Sequence, residues 1–226
     1  MTGLVKTLDA ISKQTFGDYQ HIIKSTLHAS KVSEYLDCLK DPRLVVKKSH
    51  DLGIYDAMNQ ALTLVRGSYV LFLNTGDVFH NNKVLQSVSS LIDEAAVVYG
   101  DTIDNQGRLY KASSINNWKK MGFCHQSVFV RADLYARGFN LNFSICADRH
   151  FFASQAEDLS VKKLNTIIAI IERTGFSSQK PIRTIKEINQ INRNHLKEFY
   201  AVGLFRLIYH QFRQLVKSLL GNFAND

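Results

Sequence analysis

The sequence predicts an α/β fold with a mostly parallel sheet, and three observations support this class. Short apolar segments typical of strands alternate along the chain with segments whose apolar residues recur at helical spacing. Two of the apolar segments, residues 68–73 and 95–99, are unbroken, as in strands that are buried on both faces. The chain has 226 residues, of which 45% are hydrophobic, and this is enough for a sizeable core.

The elements follow in order from the spacing of the apolar residues. Leu4, Leu8 and Ile11 recur at helical spacing, so the first element is expected to be a helix. The expected helices cover residues 4–15, 32–39, 56–65 and 82–92. The expected strands cover residues 19–23, 44–46, 68–73 and 95–99. Residues 74–77 (NTGD) have the composition of a turn.

The composition excludes several classes of protein. Three cysteines without Cys-x-x-Cys spacing do not indicate a disulfide framework or a structural zinc site. No apolar run reaches about 18 residues, so neither a signal peptide nor a membrane-spanning helix is expected. The net charge of +8 is concentrated in residues 176–226, which hold 8 Lys and Arg against 3 Asp and Glu. A basic segment is typical of proteins that bind nucleic acid or an anionic membrane.

Two aspartates follow the predicted buried strands. Asp77 comes after the strand at 68–73, and Asp101 comes after the strand at 95–99. Ligands of open α/β sheets bind beyond the carboxyl ends of the strands, so both residues are candidates for a functional site. Aspartate is also common in turns and at helix caps, and this alternative stays open for each of the two at this point.

Four short motifs carry a resemblance to a known family. They are DLGIYDAMN at 51–59, YVLFLNTGD at 69–77, YGD at 99–101 and HQ at 125–126. Together they resemble the family 2 glycosyltransferases, in particular the branch that builds bacterial surface polysaccharides such as colanic acid and O-antigen. The resemblance covers residues 3 to 178. It implies a GT-A fold, in which a Rossmann-like sheet binds a nucleotide-sugar donor and an acidic residue holds a divalent cation, Mg²⁺ or Mn²⁺, on the diphosphate.

The resemblance also implies roles for individual residues. Asp77 would hold the cation, and Asp148 would be the catalytic base that accepts the proton of the acceptor hydroxyl in an inverting displacement. Asp56 is equally a candidate for the N-cap of its helix. Arg149 and His150, which follow Asp148, are expected to lower the pKa of its carboxyl group. The residues implied to bind substrate are Asp51, Asp56, Asn59, Asn74, Gly76, Asp101, His125 and Gln126.

The sequence departs from the family at two places. The family begins with an apolar strand, whereas this sequence starts at the helix that follows it, so the neighbouring strands are expected to lack backbone partners. The next strand of the family ends in an Asp-Gly loop on the nucleobase, whereas residues 24–30 here read KSTLHAS, in which Lys24 and His28 are candidate phosphate contacts.

Three interpretations therefore stay open. The chain is an active glycosyltransferase, a degenerate and inactive homologue that retains the fold, or a basic protein that binds nucleic acid or a membrane and has only fold-level similarity. The last is disfavoured, because a nucleic-acid binder has no need of these motifs at this spacing.

Residues 204–220 (LFRLIYHQFRQLVKSLL) form an amphipathic segment. On a helical wheel, Arg206, His210, Arg213 and Lys217 share one stripe, and apolar residues fill the opposite side. This pattern favours a helix that lies in an anionic membrane surface, with packing on the protein's own core as the alternative.

The expected organisation has two parts. They are a GT-A domain at residues 1–175 and a helical basic tail at residues 176–226. We expect a cytoplasmic protein on the inner face of the membrane that uses a nucleotide-sugar donor and a lipid-linked saccharide acceptor and does not bind nucleic acid. Pairing of two tails would make a homo-oligomer.

Overall fold

The computed structural model describes residues 2–26, 30–172 and 180–196, together with the isolated positions 205, 208 and 209. The α-helices in these ranges are α1 Thr2–Ser12, α2 Ser30–Asp37, α3 Ile54–Leu62, α4 Val84–Ser89, α5 Ala147–Ala153 and α6 Pro181–His195. The strands are β1 His21–Ser25, β2 Leu44–Lys48, β3 Tyr69–Val70, β4 Val78–Phe79, β5 Val97–Asp104, β6 Leu109–Tyr110, β7 Val128–Arg131 and β8 Val161–Ile171. Short 3-10 helices cover Ile115–Lys120, His125–Ser127 and Ala132–Arg137.

The order of the predicted elements is confirmed from α1 to β5, but two strands differ in length. β3 contains only Tyr69 and Val70 of the predicted segment 68–73. β5 continues to Asp104, because β8 pairs with it from Asp101 to Asp104 and β6 folds back to pair with Thr102 and Ile103 on the other side. Asp101 therefore lies inside a strand, and the interpretation of this residue as the polar end of a strand is wrong.

The strands form two sheets of mixed direction. β1 and β2 make a parallel two-stranded sheet, and the other six strands make a sheet with the order β3-β7-β5-β8-β4, in which β6 pairs with β5. Of the six pairings between described strands, only β1–β2 and β5–β8 are parallel. The α/β class is confirmed, and the expectation of a mostly parallel sheet is wrong. One reason is that β6 follows β5 after a four-residue turn, which is too short for the crossover that a parallel pair requires.

A cavity of about 720 Å³ separates the edges of the two sheets. It is lined by residues 21–24 of β1 and by residues 67–73 around β3. Alternate residues of a strand point to opposite faces, so a cavity that touches consecutive residues of two strands lies at their edges. Residues 71–73 have no strand partner within the described ranges. The two sheets are therefore held together by helices and side chains and not by a continuous hydrogen-bond ladder.

The core covers both faces of the large sheet. Val97 and Tyr99 of β5 pack in a cluster with residues of α3, α5 and α6, whereas Val98 between them packs in a second cluster with residues of α1 and α4. This alternation places α3, α5 and α6 on one face and α1 and α4 on the other. The loops that follow β3 and precede α5 are thereby fixed against a packed core.

The C-terminal part is described only in places. α6 packs on the core through Ile191, which is fully buried. The predicted membrane helix at 204–220 and the segment 175–178 lie outside the described residues, except for Phe205, Ile208 and Tyr209, which are all exposed. In the described part of the chain, no helix combines the length and the apolar character needed to span a bilayer.

Candidate active site

The first candidate carboxylate, Asp77, ends the turn at residues 74–77. Its backbone N–H donates to the carbonyl of Asn74 at 3.0 Å, and Gly76 supplies the positive φ of 102° that this turn requires. The Thr7 hydroxyl of α1 accepts from the Gly76 N–H at 2.9 Å and lies 2.8 Å from the Asp77 carbonyl oxygen. The first helix therefore holds the turn in place.

The carboxylate of Asp77 is buried, and each of its oxygens accepts one hydrogen bond. Oδ1 accepts from the backbone N–H of Glu172 at 2.8 Å, and Oδ2 accepts from Gln126 Nε2 at 3.0 Å. Burial raises the pKa of this carboxyl group, and the negative charge of Glu172 adds to the increase. Burial and the charge of Glu172 therefore destabilise the ionised form of Asp77, and a positive charge next to it would offset this destabilisation.

The second candidate carboxylate, Asp148, lies in the first turn of α5. Its Oδ1 accepts from the Tyr55 hydroxyl at 2.8 Å and from the Arg149 backbone N–H at 2.8 Å. Its Oδ2 lies 3.3 Å from His125 Nδ1. Burial acts to raise the pKa of Asp148, but the hydrogen bonds and charge of His125 and the hydroxyl of Tyr55 outweigh it and hold the pKa below its usual range.

The expected direction of this shift is confirmed, but its source is different. The Arg149 guanidinium is directed to the carbonyl of Lys120 and to Asn192 Oδ1. His150 stacks on Phe143 with ring centroids 4.6 Å apart, and burial lowers the pKa of this histidine. The sequence suggests these two cations because they are next to Asp148 in the chain, whereas the fold turns their side chains to other partners.

Adjacent residues of one short 3-10 helix connect the two carboxylates. His125 contacts Asp148, and Gln126 donates to Asp77. Both residues were predicted to face a bound substrate. In the structure, each side chain contacts one of the two acidic residues, so the His-Gln pair fixes the carboxylates relative to each other, and the role of the pair toward a substrate stays a prediction.

The other predicted site residues are bonded to nearby parts of the scaffold. Asp51 pairs with Lys24 at 2.8 Å, and both side chains are largely buried. Asp56 accepts from the Leu52 N–H at 2.8 Å, but the N-cap of α3 is Gly53, so the N-cap interpretation of Asp56 is wrong. The helix begins at Ile54, two residues earlier than predicted.

Asn59 and Asp101 fix main-chain segments on opposite sides of the same core. Asn59 exchanges two hydrogen bonds with the backbone of Phe139, at 2.9 and 2.7 Å. Asp101 Oδ1 accepts from the Ala112 N–H at 2.8 Å. The structure does not connect these two side chains to the Asp77 and Asp148 pair by a hydrogen bond between described residues.

Lys24 occupies the end of β1, where the family has its nucleobase loop. Its ammonium group donates to the Ser49 carbonyl at 2.6 Å and to Asp51, and only 6% of its side chain is exposed. The side chain is therefore directed inward, and it does not point to the site as a free phosphate contact. His28, the other candidate phosphate contact, lies outside the described residues.

Three residues at the site were not singled out from the sequence. Tyr55 belongs to the DLGIYDAMN motif but had no assigned role, and its aromatic hydroxyl in that motif is the signal that could have found it. Glu172 and Glu187 are distant in the chain. Glu187 of α6 accepts from the N–H groups of residues 144–146 at 2.9 to 3.2 Å, and so fixes the loop that leads to Asp148.

The residues near Asp77 fit a divalent cation only in part. Within the described ranges, no three or more His, Cys, Asp or Glu side chains are grouped so that they could hold a metal ion. The carboxylate of Glu172 lies beside Gly76, where an added Cβ would meet it at 3.0 Å, and it pairs with Lys6 at 3.6 Å. Mg²⁺ commonly takes one or two carboxylates and completes its shell with phosphate oxygens and water. Asp77, with Glu172 as its neighbour, is compatible with that arrangement.

Residues 2–151 match the model of the family described as Glycosyl transferase family 2. The chain belongs to this family. A PGL/p-HBAD biosynthesis glycosyltransferase of Mycobacterium bovis is 29% identical over 158 residues, which are 64% of this chain and 60% of that relative. An uncharacterized glycosyltransferase of Mycobacterium tuberculosis is 25% identical over 193 residues, 80% of this chain and 74% of the relative. The chain thus spans less than two thirds of the length of the first of these relatives.

Solved structures share the fold of this family 2 chain. TarS 1-349 of S. aureus in complex with UDP-GlcNAc has a TM-score of 0.63 at 16% identity, covering 88% of this chain and 65% of the TarS 1-349 chain. The mannosyltransferase PcManGT of Pyrobaculum calidifontis in complex with GDP-Man and Mn²⁺ has a TM-score of 0.64 at 13% identity, covering 88% of this chain and 61% of the other. The expected GT-A fold is thereby confirmed.

Proposed function

We propose that this chain is the catalytic part of a glycosyltransferase, which moves a sugar from a nucleoside-diphosphate donor to an acceptor hydroxyl with inversion at the anomeric carbon. The observation that carries the proposal is the arrangement of Asp77 and Asp148. Asp77 is suited to hold a cation, and Asp148 is suited to accept a proton. Gln126 and His125, which are adjacent in one 3-10 helix, hold the two carboxylates.

Asp148 has the properties of a general base in this reaction. Its hydrogen bonds hold the carboxylate ionised near neutral pH, and 19% of its side chain remains exposed, so a substrate hydroxyl has access to it. The acceptor oxygen attacks the anomeric carbon as its proton passes to Asp148. Glu187 supports this step because it fixes the main chain just before the base.

Asp77 would stand at the diphosphate of the donor. A divalent cation held there neutralises the charge that develops on the leaving nucleoside diphosphate. The burial of Asp77 and the raised pKa of its carboxyl group give a reason for a cation at this position. The Gln126 amide, bonded to Oδ2, keeps the carboxylate oriented toward the end of the sheet.

The donor class in this proposal is supported by the similar structures, which hold UDP-GlcNAc and GDP-Man. The buried Lys24–Asp51 pair stands at the end of β1 in place of the family's nucleobase loop. We therefore expect this chain to bind the nucleobase in a different way from other members of the family.

For the acceptor, we propose a lipid-linked or other saccharide in the synthesis of a bacterial surface polysaccharide such as O-antigen, capsule or exopolysaccharide. The chain would work at the inner face of the cytoplasmic membrane, with its basic tail at the anionic surface. In support, Phe205, Ile208 and Tyr209 are 72%, 55% and 56% exposed, and such apolar side chains are suited to the interface of a bilayer.

Calorimetric titration with UDP-, GDP- and dTDP-sugars, with and without Mn²⁺, tests the proposal. We expect one donor to bind in a metal-dependent way. Asp77→Ala should lose this metal-dependent binding, whereas Asp148→Ala should still bind the donor. In Asp148→Ala, the rate of sugar transfer should fall by at least about 100-fold, as expected for loss of a general base. Absence of donor binding in the wild-type chain would contradict the proposal and favour a degenerate, inactive homologue.

A further inference from the structure

We propose that Tyr55 is a positioning residue for Asp148. Its hydroxyl group forms a hydrogen bond with this carboxyl group both before and after the carboxyl group takes up a proton. The inference rests on the proposed function, in which Asp148 is the base. Tyr55 lies in α3, 93 residues away from Asp148 in the chain, and it packs against Phe139 with ring centroids 5.4 Å apart.

The Tyr55 hydroxyl stands between two acceptors. It lies 2.8 Å from Asp148 Oδ1 and 2.8 Å from the carbonyl oxygen of Ile145. A hydroxyl has one proton and two lone pairs, so it donates to one of these oxygens at a time. With Asp148 ionised, the hydroxyl donates to Oδ1, because hydrogen bonds to charged acceptors are the stronger ones.

The same three groups accommodate the protonated carboxyl group. When the proton resides on Oδ1, Asp148 donates it to the Tyr55 oxygen, and the Tyr55 hydroxyl turns to donate to the Ile145 carbonyl. Rotation of one hydroxyl hydrogen therefore satisfies both states, and no heavy atom has to move. A base that must take up a proton during the reaction benefits from such an arrangement, because the surroundings need little reorganisation.

The proton balance of the step is complete. The O–H bond of the acceptor breaks and an O–H bond forms on Asp148. The acceptor oxygen bonds to the anomeric carbon, and the bond from that carbon to the diphosphate breaks. The electron pair of the broken bond leaves with the nucleoside diphosphate. Asp148 later returns its proton to water.

The other groups around Asp148 are consistent with this role. The His125 ring lies beside the rings of Phe72 and Phe139, and its Nε2 is buried without a hydrogen-bond partner among the described residues, so Nε2 is not accessible to a substrate proton. Cys146 also faces Asp148, and burial raises the pKa of its thiol to about 12, which keeps it neutral.

More distant charged groups are turned away from the carboxyl group. The Arg149 guanidinium is bonded to Lys120 and Asn192, and the Glu187 carboxylate to the backbone of residues 144–146. Tyr135 also faces Asp148, and burial raises the pKa of its hydroxyl, which keeps it neutral. The pKa of Asp148 therefore depends on its burial and on the hydrogen bonds from His125, Tyr55 and the Arg149 N–H.

The test compares Tyr55→Phe with a matched control, Tyr135→Phe. Tyr135 is a buried tyrosine of the same aromatic cluster that also lies near Asp148, but its hydroxyl makes no hydrogen bond to the described residues. Each substitution removes one oxygen and keeps the ring. The pKa of Asp148 is read from its ¹³Cγ chemical shift between pH 3 and 8 in the full chain, with the resonance assigned through Asp148→Asn.

We expect Tyr55→Phe to raise the pKa of Asp148 by about one unit, because the ionised form loses a hydrogen bond to a charged group and the neutral form loses a weaker one. Tyr135→Phe should leave this pKa within about 0.2 units of the wild type, because it removes no hydrogen bond. Equal pKa values in the wild type and both variants would overturn the proposal.

A second readout separates this proposal from the proposed function. The rate of UDP or GDP release from UDP-GlcNAc and GDP-mannose is measured with Mn²⁺ against pH. In Tyr55→Phe, the acidic limb of this profile should move to higher pH by the same amount as the pKa of Asp148. In the control variant, the profile should be unchanged. If the ¹³Cγ shift occurs but the wild type releases neither nucleotide, the bond to Asp148 is supported and the proposed function is contradicted.

Discussion

The carboxylate of Glu187 provides a sharp test of how the candidate base is held. Its two oxygens accept from the N–H groups of Ser144, Ile145 and Cys146, from the Ser144 hydroxyl and from Arg183 Nε at 3.2 Å, and its side chain is 9% exposed. Glu187→Gln keeps the size of the side chain but replaces one acceptor oxygen with an NH₂ group. That group cannot accept from the Ser144 N–H, and the remaining hydrogen bonds lose their charge assistance.

The expected cost follows from these contacts. One buried N–H left without an acceptor costs about 1–3 kcal/mol, and weaker bonds to the other two N–H groups add about 0.5 kcal/mol each, so the total is about 2–4 kcal/mol. For a chain of this size, this corresponds to a decrease in Tm of roughly 5–12 °C. The assay is thermal unfolding followed by circular dichroism.

The matched control is Glu157→Gln. Glu157 has the same chemistry, but its side chain is 90% exposed, and its ion pair with Lys119 is 3.8 Å long. This variant is expected to change stability by less than about 0.5 kcal/mol. If the two variants have the same Tm as the wild type, the reasoning that Glu187 anchors the loop before Asp148 is refuted.

Two further predictions concern β1. Lys24→Met should destabilise the fold by about 3–5 kcal/mol in urea unfolding, because it leaves the Asp51 charge buried without its partner. The double variant with Asp51→Leu should recover most of this loss, and failure to recover it would contradict the pair's role. Burial lowers the pKa of His21 to about 4. The unfolded chain binds this proton more readily, so the contribution of His21 to stability is present above pH 6.5 and is lost as the pH falls toward 4, by on the order of 3 kcal/mol. In His21→Gln, the free energy of unfolding should depend less steeply on pH in this window; an unchanged slope would disprove the assignment.

The sequence predicts what depends on local pattern. The alternation of helices and strands and the turn at Asp77 follow from neighbouring residues. Contacts between distant segments do not follow from them. The direction of β7 beside β5, the Glu187 carboxylate under the loop before Asp148 and the inward orientation of Lys24 depend on which surfaces meet in three dimensions.

Two misjudged features show this limit. Asp101 follows an apolar run and has the composition of a strand end, but pairing with β8 and β6 extends the strand beyond it. Arg149 is adjacent to Asp148 in the chain, but consecutive residues of a helix point in different directions, so the guanidinium reaches Asn192 of α6. His125 and Gln126 were recognised from their motif, whereas their connection of two carboxylates required the folded main chain.

The gap between β1 and β3 affects the cooperativity of the whole chain. Ladder hydrogen bonds transmit the cost of opening from strand to strand, but no such bond connects the two sheets across the cavity. The β1–β2 unit is therefore expected to open at a lower free energy than the β7-β5-β8 centre, as a separate step before global unfolding. The amide hydrogens of β1 and β2 would then exchange early, while those of the β7-β5-β8 centre would exchange last.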